Sequence, residues 1–179
     1  KLTRLYPHKN LFSHIIGQID DDNNGISGIE KSLDKELKIT KDLIRLTVDA
    51  DIQFLIREEL LKFQKIFRAK GSAAILMDVN NGGIISMVSL PDFNLNERKV
   101  ITNVDYINRA TKGVYEFGSV FKTFTVAAGF NENLIEPNTE YLNLKKQIEC
   151  NGFKIREYNN KTPTDLTVEE ILIRSGNIG

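Results

Sequence analysis

The sequence predicts an α+β protein in which helices accompany an antiparallel hairpin, and two patterns carry this prediction. Apolar runs at residues 73–79 and 84–90 flank Asn80-Asn81-Gly82-Gly83. Asn-Gly between two such runs is the strongest short-range signal for a β-hairpin. Upstream, apolar residues recur at helical spacing over residues 49–68, which predicts a long helix. Strands joined by so short a turn run antiparallel, so the pattern disfavours βαβ units.

The remaining helices and strands are predicted from weaker sequence patterns. Residues 43–48 are short, apolar and partly β-branched, which predicts a strand. In the long helix, Asp49 or Asp51 would cap the start, Gly71 would close the end, and the apolar stripe would pack into the core. Short strands are predicted near 147–150 and 153–155. A helix at 167–174 would begin at the capping-box sequence Thr167-Val168-Glu169-Glu170.

Composition excludes several classes of function. The 179 residues are 41% hydrophobic and 27% charged, which suits one folded domain, with or without a piece of another. Because 24 basic residues balance 24 acidic ones, the bulk composition predicts neither nucleic-acid binding nor a polybasic membrane patch. The single cysteine, Cys150, allows no internal disulfide. Since the chain starts at Lys1 rather than Met and stops at Gly179, we expect an excised fragment, and any anchor or targeting segment would then lie upstream.

The first candidate site is Ser119 with Lys122, at the start of a second predicted helix. Its apolar residues predict that this helix is buried: Phe121, Phe124, Val126, Ala127 and Phe130. On a helix, residues three apart lie about 60° apart around the axis and about 4.5 Å along it, so the amine can reach the hydroxyl. The first turn of a helix offers free N–H groups that favour an alkoxide or oxyanion. Apolar cover from Phe117 and Phe121 would favour the neutral amine, the form that can accept the serine proton. The spacing alone is weak evidence, because Ser32 and Lys35 share it.

The second candidate is Ser175-Gly176-Asn177, directly after the last predicted helix. Taken alone, it reads as a helix C-cap with Gly176 in the left-handed region. Ser-x-x-Lys followed by Ser-x-Asn, however, is a motif pair of penicillin-recognising serine enzymes.

On these motifs the chain resembles the class B penicillin-binding proteins, which are peptidoglycan D,D-transpeptidases, and most of all their cell-division (septal) branch. Asn108-Arg109-Ala110 together with the segment from Tyr115 to Phe124 is similar to the family's NRA…YEPGSTFK segment. Residues 71–90 are similar to its strand-turn-strand signature. Leu46-Thr47-Val48-Asp49 resembles LTID. The resemblance implies a partial β-lactamase-like transpeptidase domain at residues 41–179. Residues 1–40 would be the end of a pedestal, or dimerisation, module.

The resemblance also implies four catalytic residues. Ser119 would be the acyl-enzyme nucleophile and Lys122 its base. Ser175 would relay a proton to the leaving amine, and Asn177 would hold Lys122 and a substrate amide carbonyl. The backbone N–H of Ser119 would be one oxyanion donor. No cofactor and no metal ion are implied.

Substrates, partners and location follow from the resemblance as well. The substrates would be D-Ala-D-Ala stem peptides of peptidoglycan, and β-lactams would acylate the same serine. Divisome membrane proteins would be partners, the pedestal would allow a homodimer, and nucleic acid would not bind. The location would be the periplasmic face of a bacterial inner membrane.

The sequence departs from the family pattern at several points. Phe117, Val120 and Gly176 replace the usual residues of the two motifs, and Lys-Thr-Gly, the third motif, is absent. Lys161-Thr162-Pro163 lacks the glycine and precedes Ser-x-Asn. We therefore expect the chain to hold only part of an active site and to be inactive alone. Two alternatives stay open, a non-catalytic dimerisation or interaction module and a penicillin-recognising sensor or β-lactamase.

Two smaller patterns have more ordinary explanations. His8 and His14 suggest a Ser-His pair, but no aspartate stands at a telling spacing. The acidic run from Asp20 to Asn24 suggests calcium, but it lacks the EF-hand ligand spacing and predicts a solvated turn.

Overall fold

The computed structural model describes residues 4–40, 42–97, 103–159 and 161–179. The chain divides into two compact units, Lys1–Val114 and Tyr115–Gly179. Each mixes short helices with antiparallel strand pairs, which confirms the α+β prediction. Within these ranges, the helices are all too short or too polar to cross a membrane. The boundary expected at residue 40 stays a prediction.

The described residues of the first unit form one hairpin and several helices. The helices are α1 (Ser13–Ile16), α2 (Gly28–Ser32), α3 (Asp34–Ile39), α4 (Ala50–Phe67), α5 (Asn103–Tyr106) and α6 (Arg109–Lys112). The strands are β1 (Ser72–Met77) and β2 (Ile84–Leu90), which pair antiparallel with Ser72 opposite Leu90. This confirms the predicted hairpin. Its turn is held by the Asp78 carboxylate, which accepts hydrogen bonds from the Asn80 N–H and the Asn81 amide.

Helix α4 confirms the long predicted helix, with a different end. The Asp49 side chain caps its start, accepting from the Ile52 N–H at 2.9 Å. The helix ends because Arg68 adopts the left-handed conformation, with φ of 50°. The prediction that Gly71 closes the helix is therefore wrong.

The apolar stripe of α4 is only partly buried. Ile52, Ile56 and Leu60 are half-buried, whereas Leu55, Phe63 and Phe67 remain 62%, 47% and 74% exposed. The predicted core role is wrong for these three residues. Periodicity identified the apolar side of the helix, but the contact with β2 covers only part of that side.

The predicted strand at residues 43–48 is also wrong. The segment lies beside β2, where the Thr47 hydroxyl donates to the Ile84 carbonyl and the Asp49 N–H donates to the Ile85 carbonyl. One backbone hydrogen bond is too few to form a ladder.

Gln53 joins α4 to β2 at the centre of the first unit. The side chain is 1% exposed. Its Nε2 donates to the carbonyl oxygens of Leu11 and Met87, both at 2.9 Å. Its Oε1 accepts from the Ser86 hydroxyl at 2.6 Å and from the Met87 N–H at 2.9 Å. The Gln53 amide thus hydrogen-bonds to the segment that contains Leu11 and to strand β2.

Replacing Gln53 with leucine should lower the free energy of unfolding by about 1–3 kcal/mol, because buried backbone groups lose their partner. Urea unfolding of the wild-type chain and the variant measures this difference. Lys65→Leu is the matched control, since Lys65 is an exposed position on the same helix. Equal stability of Gln53→Leu and Lys65→Leu would contradict the role given to the buried amide.

The described residues of the second unit begin with a 3₁₀ turn, Gly118–Phe121, and hold helices α7 (Lys122–Asn131) and α8 (Val168–Ile173). Four strands form two antiparallel pairs: β3 (Glu140–Tyr141) with β6 (Leu166–Thr167), and β4 (Gln147–Cys150) with β5 (Phe153–Arg156). The strands β4 and β5 and the helix α8 were predicted, whereas the pairing of β4 with β5 was not. The pair β3–β6 was not predicted either, because two residues are too few to show alternation.

Helix α8 begins with the predicted capping box. The Thr167 hydroxyl accepts from the Glu170 N–H at 3.2 Å, and the Glu170 carboxylate accepts from the Thr167 N–H at 3.0 Å. Val168 and Ile171 on the helix are buried together with Leu166 and Ile178. This small core fixes the segment that carries Ser175 and Asn177.

Candidate active site

Ser119 lies in the 3₁₀ turn that leads directly into α7 at Lys122. The sequence predicted both residues on one α-helix, and the tighter turn changes this geometry. In a 3₁₀ helix, residues three apart eclipse one another, so Ser119 and Lys122 still share a face. Gly118 opens the turn with φ of 54°, a conformation that glycine adopts without steric cost. Ser119 is exposed, and within the described part of the chain its hydroxyl makes no hydrogen bond.

The Lys122 amine lies among three oxygen acceptors. Its Nζ is 2.6 Å from the Ser175 carbonyl oxygen, 2.6 Å from Asn177 Oδ1 and 3.2 Å from Ser175 Oγ. An ammonium group has three N–H donors, so these acceptors satisfy it completely. A neutral amine has two N–H donors and one lone pair. It can keep the two short bonds while the lone pair accepts a proton from a hydroxyl.

Ser175 holds its position through the end of α8. Its N–H donates to the Leu172 carbonyl at 3.0 Å, and the Gly176 N–H donates to the Ile171 carbonyl at 2.9 Å. This is the Schellman pattern of a helix end. The left-handed residue is Ser175, with φ of 56°, so the expectation that Gly176 takes that conformation is wrong. A non-glycine residue there costs about 1–3 kcal/mol, and such residues cluster at functional sites.

Asn177 is fixed on both its side chain and its backbone. Its Nδ2 donates to the Arg156 carbonyl at 2.8 Å, which leaves Oδ1 to face Lys122. Its N–H donates to both carboxylate oxygens of Glu157, each at 3.1 Å, and the Ile178 N–H donates to Glu157 Oε1 at 3.0 Å. Arg156 and Glu157 were not identified from the sequence, because no local motif marks them.

Three of the four predicted site residues thus form one hydrogen-bonded cluster, and Ser119 lies one turn before it. The predicted apolar cover is absent from this arrangement. Phe117 and Phe121 are 58% and 59% exposed. Helix α7 buries none of its own residues, so the helix that looked buried in the sequence is not.

The Ser-His alternative has a structural explanation. Nε2 of His14 donates to the Asp105 carbonyl at 2.7 Å, and Nδ1 is 3.4 Å from the Ser13 hydroxyl. Burial lowers the pKa of His14, which favours this neutral form. Ser13 is 1% exposed, so its hydroxyl has no access to a substrate.

The acidic run forms a turn, as the sequence predicted. Asp20 Oδ1 accepts from the Asp22 and Asn24 N–H groups, and Oδ2 accepts from the Asn24 amide. The hydrogen bond from the Asn24 side chain is the main cause of the lowered pKa of Asp20. In the described ranges, no three His, Cys, Asp or Glu residues lie close enough to hold a metal ion.

The fold and the motifs together define a class of protein. Ser-x-x-Lys at the start of a helix, with Ser-x-Asn at the end of another, is the pattern of the penicillin-recognising serine enzymes. Residues 72–179, more than half of the chain, match the penicillin binding protein transpeptidase domain. The chain belongs to this family.

Relatives in sequence and structure agree with this assignment. A Caulobacter vibrioides protein named probable peptidoglycan D,D-transpeptidase FtsI is 30% identical over 98% of the chain. The Escherichia coli K12 peptidoglycan D,D-transpeptidase FtsI is 26% identical over 98% of it. The crystal structure of penicillin binding protein 3 from Mycobacterium tuberculosis, apo-form, matches with a TM-score of 0.72 and 26% identity. That match covers 87% of the chain and 37% of the solved structure.

The matches confirm the family and the transpeptidase-like fold predicted from the motifs. The chain covers 30% and 34% of the length of the two FtsI relatives, about a third of each. The matches therefore establish the family of this chain, and the activity of the whole protein is a proposal.

Proposed function

We propose that the protein carrying this chain is a serine D,D-transpeptidase that cross-links peptidoglycan stem peptides through an acyl-enzyme on Ser119. The observation that carries the proposal is the contact of Lys122 Nζ with Ser175 and Asn177, one turn after an exposed serine. This cluster joins the two motifs that define the family's chemistry.

In the proposed acylation step, Ser119 Oγ attacks the carbonyl carbon of the D-Ala–D-Ala bond. The serine proton passes to the neutral amine of Lys122, which is held by the Ser175 carbonyl and Asn177 Oδ1. The Ser119 N–H, free at the start of a helical turn, would stabilise the oxyanion.

The bond to the terminal D-Ala then breaks, and its amine takes a proton through Ser175 Oγ, which lies 3.2 Å from Lys122 Nζ. An amine of a neighbouring stem peptide then attacks the ester carbonyl. The bond to Ser119 Oγ breaks, the amine's proton returns to Ser119 Oγ, and the new amide bond is the cross-link. Opening of a β-lactam ring by Ser119 would give an analogous ester, which makes the protein a penicillin target.

We further propose a septal role at the periplasmic face of a bacterial inner membrane, supported by the similarity to two FtsI proteins. Residues 1–40 would end a pedestal module that contacts divisome proteins or a second copy of the protein. Residues 41–179 would begin the transpeptidase domain.

The test uses the full-length protein with a stem peptide ending in D-Ala-D-Ala and an acceptor peptide. We expect release of D-Ala and formation of a cross-linked product, both blocked by penicillin and absent in Ser119→Ala. Lack of both products from a folded protein would overturn the proposal. Rapid release of hydrolysed penicillin would favour the β-lactamase alternative instead.

A further inference from the structure

Glu157 stands at the end of β5, 20 residues before Asn177 in the sequence. The carboxylate is half-buried and accepts hydrogen bonds from two successive backbone N–H groups, those of Asn177 and Ile178, at 3.0–3.1 Å. Hydrogen bonds to an ionised acceptor are about twice as strong as those between neutral groups.

Arg156, the residue before Glu157, also contacts Asn177. The Arg156 carbonyl accepts from Asn177 Nδ2 at 2.8 Å and so decides which end of the amide faces Lys122. The end of the β4–β5 hairpin therefore fixes Asn177 twice, through its backbone and through its side chain.

The same segment places Ser175. Only Gly176 separates Asn177 from Ser175, whose carbonyl and hydroxyl reach Lys122 Nζ. Ser175 itself adopts a left-handed conformation. The helix-end hydrogen bonds hold this segment from the α8 side. Glu157 holds it from the other side.

We propose that Glu157 is a positioning residue for the Ser-Lys site, keeping Asn177 and Ser175 where they orient the Lys122 amine. The inference rests on the proposed function. Glu157 makes none of its hydrogen bonds to Ser119 or Lys122 in the described residues, so it acts through the Ser175–Ile178 segment. Its loss should therefore slow acylation far more than it weakens the prior binding of a β-lactam, which involves only one of the positioned groups, Asn177.

The experiment follows a fluorescent penicillin reacting with the full-length protein, and separates the non-covalent dissociation constant from the acylation rate constant. Glu157→Ala should lower the rate constant by about 10- to 100-fold, the scale expected for misplaced catalytic groups. Glu157→Gln should fall between Glu157→Ala and wild type, because one amide oxygen can still accept from both N–H groups. The dissociation constant should change by much less than the rate constant in either variant.

Glu170→Ala is the matched control. It removes a carboxylate that caps the opposite end of α8, so it should lower the melting temperature without slowing acylation. A wild-type rate in Glu157→Ala would overturn the inference. Equal slowing by Glu170→Ala would also overturn it, because a general loss of stability would then explain the effect. If the wild-type protein shows no labelling that depends on Ser119, the proposed function fails and the inference fails with it.

Discussion

Replacing Lys122 with alanine is expected to slow the acylation of Ser119 by about 10²- to 10⁴-fold, the usual contribution of a positioned general base. The variant loses the only side chain that the structure brings into contact with both motif residues, Ser175 and Asn177, among the described residues. The serine proton would then have to pass to water.

Fluorescent-penicillin labelling of the full-length protein over time measures the rate. Lys35→Ala is the matched control, since Lys35 stands in the second Ser-x-x-Lys sequence and is exposed. We expect Lys35→Ala to label at the wild-type rate. Equal rates for Lys122→Ala and wild type would contradict the role of Lys122 as base.

Replacing Asn177 with aspartate is expected to slow acylation by about 10²-fold or more, approaching the effect of losing the base. The new carboxylate would lie where Oδ1 now lies, 2.6 Å from Lys122 Nζ. An adjacent negative charge favours the ammonium form, which has no lone pair to accept the serine proton. The variant also loses the donor to the Arg156 carbonyl and places an oxygen against it.

Single-turnover reaction with a chromogenic cephalosporin measures this second effect. Asn131→Asp serves as the control, because Asn131 is an exposed asparagine at the end of α7 in the same unit. If Asn177→Asp reacts as fast as Asn131→Asp, a carboxylate beside Lys122 does not impair the site and the contact between Asn177 and Lys122 does not matter for acylation.

Features determined by neighbouring residues were predictable from the sequence. The Asn-Gly turn between β1 and β2 and the Thr167–Glu170 capping box both depend on residues within a few positions of each other. The segment 43–48 was predicted wrongly because an apolar, β-branched run becomes a strand only where a partner offers a full ladder. Local composition carries no information about that partner.

Burial was the least predictable property. The apolar residues of α7 and the far end of α4 suggested core, yet Phe124 and Phe67 are exposed in the described structure. Periodicity shows which side of a helix is apolar, whereas packing decides whether another element covers it.

Two motifs that occur together named the candidate site residues, whose catalytic roles stay predictions, but their geometry could not be predicted from the sequence. Lys122 and Ser175 are 53 residues apart in the sequence. They meet because α7 packs against α8. The left-handed conformation fell on Ser175 rather than Gly176 because the helix ended one residue earlier than a glycine cap requires. The contact of Glu157 with Asn177 depends on the position of the β4–β5 hairpin, and no local sequence motif predicts it.

Identifying the residue to which penicillin becomes covalently attached tests the role of Ser119 most directly. The full-length protein is treated with benzylpenicillin, and its intact mass and proteolytic peptides are measured beside Ser119→Ala and Ser32→Ala. We expect one stable adduct on the peptide containing Ser119, retained in Ser32→Ala and lost in Ser119→Ala. An unmodified mass for the folded protein, or an adduct that survives Ser119→Ala, would contradict the assignment of Ser119 as nucleophile.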